Sequence, residues 1–302
     1  MLLISTITTN CSKDSANSAT TTATGSITIE NVSDLATADM QTWSTTAASK
    51  MSSQTSNILA VSWNVGAQVK EGGFNRPFNT HAVTITSEQI ETLMTKISSW
   101  LDTSCADDST KTEELANFRN YITNGADASA HLVMCGVYRI VLMAFPSTMS
   151  ADDRKSVVIH EFYHAFQQDL ADEACGAKRD SSTNGKWLVE GATEYFTFIE
   201  LYGATAGVSK LLEKALEAYN SDNDTAITGS SITHRAGAGI RYMIEKGWIT
   251  ESSILDGSFF HSCITESDYT DTNANIVTTK ANWYKIEATN GVYGFTAAAL
   301  GG

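Results

Sequence analysis

Ser150-Ala151-Asp152-Asp153-Arg154-Lys155-Ser156-Val157-Val158-Ile159-His160-Glu161-Phe162-Tyr163-His164-Ala165-Phe166 reads as a single helix whose later turns carry chemistry. Ser150, with Asp153 three residues on, has the form of a capping box, and Asp152 and Asp153 would sit near the positive end of the helix dipole. Val157, Val158, Ile159, Phe162, Ala165, Phe166 and Leu170 make the helix apolar around most of its circumference, which predicts burial. His160 and His164 are set into this surface four residues apart, on one face, so two imidazoles can address one ion. Glu161 stands beside them, where a carboxylate can take a proton from a metal-bound water. With 6 His and 17 Glu in 302 residues, an accidental H-E-x-x-H is roughly a 0.7% event, too rare to set aside. The alternative is a buried helix whose histidines are satisfied by carbonyls or carboxylates.

A catalytic zinc usually keeps three protein ligands and one open position. Trp187-Leu188-Val189-Glu190-Gly191-Ala192-Thr193-Glu194-Tyr195-Phe196 offers the third in a second apolar helix. Glu190 and Glu194 are also four apart, and two carboxylates on so apolar a helix are costly unless paired or metal-bound. The metal is assigned to Glu190. Glu194 is assigned the outer role of accepting the remaining N–H of a ligating histidine, which fixes its tautomer. An ordinary salt-bridged pair of glutamates is the alternative here.

H-E-F-Y-H followed by W-L-V-E-G-A-T-E-Y-F resembles the gluzincin metallopeptidases, the group that holds thermolysin, aminopeptidase N-like enzymes and bacterial collagenases. The resemblance spans about residues 150–250 and does not reach the first 120. It implies a zincin-like α+β fold, a zinc ion, and peptide-bond hydrolysis. It also implies Glu190 as the third ligand, with Glu194 orienting the first histidine. The 25 residues between His164 and Glu190 come nearer the collagenase-like spacing than the aminopeptidase one. Members of the group place a downstream tyrosine or histidine to bind the developing oxyanion, in several cases from Y-x-x-G at a helix start. The matching segment is His234-Arg235-Ala236-Gly237, so His234 is the candidate, with Arg235 and Tyr242 in reserve.

Charged residues make up only 18% of the chain, yet the net charge is −14 and the pI about 4.8. That balance argues against nucleic acid and anionic membrane surfaces as partners, because no basic stripe is present to neutralise phosphates. No run of about 18 apolar residues suggests a transmembrane segment. Met1-Leu2-Leu3-Ile4-Ser5-Thr6-Ile7 is apolar but short for a signal peptide, and Cys11 precedes a Ser/Thr/Ala-rich tract. This start resembles the end of a bacterial lipoprotein signal with a lipid anchor at Cys11. The expectation is therefore an exported protein: periplasmic, outer-membrane-anchored or extracellular in a bacterium. Cys105, Cys135, Cys175 and Cys263 lack zinc-finger spacing and are expected to form two disulfides, with core packing the alternative for Cys135.

Three parts are expected: a start and linker at 1–26, an N-terminal α+β part at 27–149, and a helical catalytic half at 150–302. Residues 27–56 show little periodicity. A buried strand is expected at 58–65, helices at 87–101 and 113–122, a loop at Gly72-Gly73-Phe74-Asn75-Arg76-Pro77, and the strongest strand at 132–145. That last strand would lie at the sheet edge beside the motif helix, where enzymes resembling this one pair with an extended substrate. Further helices are expected at 207–220 and 232–246, and Phe259, Phe260, Trp283 and Tyr284 suggest a packed C-terminal region. The fold class that follows is α+β, a small mixed sheet with the motif helix beneath it and then a mostly helical half. The function is read as a zinc metallopeptidase acting on a peptide or protein substrate. The rival is an inactive exported binding lipoprotein descended from such an enzyme.

Overall fold

The structure is a computed structural model that describes residues 25–51, 56–69, 79–104, 107–126, 129–132, 138–175, 183–228, 232–261 and 270–302. Cys11, Cys105, Cys135, Cys263, the side chain of Cys175 and the 72–77 loop lie outside what is described, so neither the lipid anchor nor the disulfides are addressed by it.

The chain is α+β. Its first part runs β1 (Ile27–Asn31), α1 (Thr37–Lys50), β2 (Asn57–Gln68), β3 (His81–Val83), α2 (Ser87–Leu101), α3 (Asp108–Thr123), β4 (Ser129–Leu132) and β5 (Tyr138–Pro146). The strands form one mixed sheet in the order β1-β2-β5-β4, with β3 paired to the end of β2. β1 and β5 flank β2 in parallel, whereas β3 and β4 are antiparallel to their partners. Strand alternation then divides the interior in two. Leu59, Val61, Trp63, Ile140 and Leu142 pack with Leu93, Ile97, Phe118 and Ile122 of α2 and α3. Ile58, Ala60, Val141, Met143 and Phe145 point the other way, into the larger core containing α1 and the motif helix.

Two expectations need correction. The 27–56 stretch contains β1 and α1; α1 hides only Met40, Ser44 and Ala47, a stripe at helical spacing that small and polar residues disguise. The strand expected at 132–145 is two strands that reverse direction, with Ser129 opposite Leu142 and Leu132 opposite Arg139. β5 is consequently an inner strand, and the edge beside the motif helix belongs to β4. Gly136 was the lone turn former in an otherwise apolar run, too weak a signal against the Val/Ile/Leu pattern.

The motif helix, α4 (Ala151–Cys175), starts from Ser150, whose Oγ accepts from the Asp153 backbone N–H at 3.1 Å and donates to Asp153 Oδ2 at 2.7 Å. Arg154 in its first turn grips Asp34 of the β1–α1 connection at 2.6 Å, fixing the helix against the sheet. Then follow α5 (Thr183–Tyr202), α6 (Ala204–Asp222), α7 (Ile232–Glu245), α8 (Glu251–Leu255), a 3₁₀ turn (Ser258–His261) and α9 (Ala274–Asn282). A hairpin of β6 (Ile286–Thr289) and β7 (Val292–Phe295) turns through Asn290 and Gly291, both at positive φ, before α10 (Ala297–Leu300). Phe260 and Trp283 are buried in the main core, with Phe259 and Tyr284 against it. No helix among the described residues is long and apolar enough to cross a membrane.

Small residues set how closely the helices of this half approach. A side chain at Gly191 would lie 2.4 Å from the Ala236 carbonyl oxygen, and one at Gly237 would lie 2.8 Å from Leu211. Backbone contact between α5 and α7 at Gly191 places the residue before it, Glu190, at a fixed height in the core.

Candidate metal centre

His160 and His164 project from one face of α4, and Glu190 meets them from α5, which packs on it. Ligand atoms of these three residues all lie within 4.8 Å of one another, so the group could hold a metal ion. The two Nε2 atoms are 3.1 Å apart; Glu190 Oε2 lies 3.3 Å from Nε2 of His160 and Glu190 Oε1 3.5 Å from Nε2 of His164. Ligand atoms about 2.0–2.1 Å from a tetrahedral zinc lie roughly 3.3 Å from one another, so the group is already near the spacing such an ion needs. Two imidazoles and a carboxylate are also the donor set that suits zinc and neighbouring divalent metals. All three side chains are mostly buried, the imidazoles 13% and the carboxylate 19% exposed.

Glu194, one helical turn beyond Glu190, faces Nδ1 of His160 with Oε2 at 3.1 Å. Its other oxygen is 3.5 Å from Nε2 of His234, in the first turn of α7, whose ring also stands edge-on to Phe198. A single buried carboxylate thus touches two histidines. Glu161 is buried and close enough for its charge to act on both His160 and His164.

The charges depend on one another. Burial opposes a proton on His160, but the bonds and charges of Glu190 and Glu194 outweigh it, and the His160 pKa rises well above its ordinary value. His164 is raised for the same reason, burial being overcome by Glu190. Burial would raise Glu190 and Glu194, yet the facing histidines hold both below the usual carboxylate range. The clustered carboxylates thus favour positive charge at the two imidazoles.

Arg235 and Tyr242, the reserves for an oxyanion donor, are engaged elsewhere. Arg235 is fully buried, holds both oxygens of Asp222 at 2.7 and 2.6 Å, and reaches the Ala218, Asp224 and Ala226 carbonyls. It closes the α6–α7 connection. Tyr242 donates to the Ala299 carbonyl at 2.7 Å. Two residues that the motifs did not point to do reach the site: Gln167 and Thr193, whose oxygens lie 2.7 and 3.3 Å from Nδ1 of His164. Their sequence signal is slight, a buried polar residue three positions from His164 and another three from Glu190. No protein-family model matches the chain, and neither does any curated protein or solved structure.

Proposed function

We propose that this protein is a zinc-dependent peptidase of gluzincin type, with His160, His164 and Glu190 as ligands. The observation that carries the reading is the convergence of these three side chains from two helices at zinc-like spacing, with the buried Glu161 carboxylate beside them. When bound, the ion would polarise the scissile carbonyl and make a water molecule acidic. Glu161 accepts a proton from the water as its oxygen attacks the carbonyl carbon. It then returns a proton to the amine nitrogen as the C–N bond breaks. Glu161 fits both transfers because it lies next to the ligands without being needed as one. Glu194 accepts the Nδ1 proton of His160 and so keeps the Nε2 lone pair available. His234, one carboxylate away from His160, is the candidate donor to the developing oxyanion.

The edge strand β4 lies against α4 and leaves one side without a neighbouring strand among the described residues. An extended peptide could add a strand to that edge beside the helix that carries both histidines, which suits a peptide or protein substrate. The exported, lipid-anchored placement rests on the sequence around Cys11 and is proposed on that ground alone.

Metal analysis of the purified protein, followed by incubation with a mixed peptide library, tests the reading. About one zinc per chain and new amino termini in the products are expected. Stoichiometric zinc without cleavage of any peptide would instead favour the binding protein descended from an enzyme. Absence of zinc would remove the peptidase while leaving that inactive protein, which need not hold a metal.

A further inference from the structure

The contacts around His164 have a polarity that can be read bond by bond. Gln167 Nε2 donates to the Val189 carbonyl at 2.9 Å, and the Thr193 hydroxyl donates to the same carbonyl at 2.9 Å. A carbonyl only accepts, so Gln167 must turn its NH₂ to Val189 and its Oε1 to His164. Thr193 has one proton, already directed at Val189, and therefore shows His164 a lone pair. Both oxygens at Nδ1 of His164, Oε1 of Gln167 at 2.7 Å and Oγ1 of Thr193 at 3.3 Å, are thus acceptors. The ring therefore keeps a proton on Nδ1, and Nε2, which faces Nε2 of His160 and Glu190, is the nitrogen left to present a lone pair to a metal once its own proton is displaced.

We propose that Gln167, seconded by Thr193, is a positioning residue that presets the tautomer and aim of His164 for the metal. The assignment rests on the zinc-site reading given above. Gln167 is almost fully buried, so its amide meets these partners without competition from water. Its anchor is the backbone of Val189, the residue before Glu190, so one amide ties the second histidine to the stretch of α5 that carries the third ligand. His160 receives its Nδ1 acceptor as a carboxylate and His164 receives it as a neutral amide. The second imidazole is oriented without adding another negative charge to a pocket that already contains Glu161, Glu190 and Glu194.

The test uses the full chain with zinc ion, measuring affinity by chelator competition in the unmutated protein, Gln167→Met and Gln167→Glu. Methionine fills the space and removes the acceptor; glutamate keeps an acceptor toward His164 and loses the donor toward Val189. Outer partners of this kind typically contribute about 10- to 100-fold in metal affinity. Gln167→Met should therefore bind zinc 10- to 100-fold more weakly, while Gln167→Glu stays within about threefold of the unmutated protein or tighter. Packing alone would weaken both variants alike, and an idle amide would weaken neither; each result overturns the proposal. ¹⁵N-histidine NMR of the unmutated zinc-loaded protein gives a readout that does not depend on either variant folding. His164 should show a proton on Nδ1 and metal on Nε2, and the opposite tautomer would contradict the assignment. Failure of the unmutated protein to bind zinc would be a different outcome, sinking the metal reading beneath it.

Discussion

In the proposed metal site the two nitrogens of each histidine have separate duties, and the sequence made only one of them visible. The four-residue spacing of His160 and His164 is enough to place both Nε2 atoms on one face, because helix geometry is fixed. The Nδ1 partners depend on how α4 meets α5; Glu194 was foreseeable from its costly position on an apolar helix, and Gln167 and Thr193 were not. A pH prediction follows from the same contacts. Glu190 and Glu194 raise His160 well above the ordinary histidine value of 6.5, and zinc must displace the proton that they help to hold. The proton is fully in place below 6.5 and leaves as pH rises through the raised value. Apparent zinc affinity of the metal-free protein should therefore keep climbing above pH 6.5. In Glu194→Gln, which loses one of the charges holding that proton, the plateau should come at lower pH. Chelator competition across a pH series measures both, and a plateau already reached below 6.5 in the unmutated protein would contradict this account.

Among the elements, the most legible were those whose apolar period is clean. α2 lies at Ser87–Leu101 as its amphipathic pattern predicts, with the Thr86–Gln89 capping box in place, and β2 and α7 follow their patterns closely. β1 was hidden because it is five residues long with only Ile27 and Ile29 against the core, α1 because its buried stripe is Met40, Ser44 and Ala47, and the β4–β5 reversal because an apolar run covered it. The close contact between α5 and α7 was equally hidden, since a glycine in a helix does not announce which backbone it meets. Gly191→Ala would push a methyl group to 2.4 Å from the Ala236 oxygen, a backbone atom that cannot swing aside. Overpacking of this kind typically costs about 1–3 kcal/mol. Urea denaturation should show a lower midpoint with an unchanged slope. An unshifted midpoint would mean that α5 and α7 are less tightly apposed than described. Arg235→Met probes the neighbouring closure. Methionine would leave the partly exposed Asp222 carboxylate to water and the Ala218, Asp224 and Ala226 carbonyls without the guanidinium, and hydrogen bonds to charged groups are typically worth about 1.5–3 kcal/mol. Thermal melting reads that loss; a variant as stable as its parent would contradict the clamp.

For the whole molecule, the metal would join two helices of the main core, α4 and α5, that are otherwise held by packing and by the Gln167 and Glu194 bonds. An ion that binds the native state alone stabilises it by about 2.7 kcal/mol at 100 times its dissociation constant. Removing zinc with a chelator should lower the melting temperature by several degrees, and the melting temperature of Glu190→Ala should not respond to zinc. An equal response of that variant to zinc would move the site elsewhere. The α+β class and the placement of the motif helix under the sheet were legible because the long apolar helices of the second half and the strand patterns of the first are separate in sequence. The proposed hydrolysis turns on Glu161, and the measurement that tests it most directly is peptide hydrolysis by zinc-loaded Glu161→Gln beside the zinc-loaded parent. General acid–base groups typically contribute about 10²- to 10⁴-fold, so the variant should retain its zinc and its melting behaviour while losing activity on that scale. Equal hydrolysis by the two zinc-loaded proteins would contradict the assignment of Glu161 as the base.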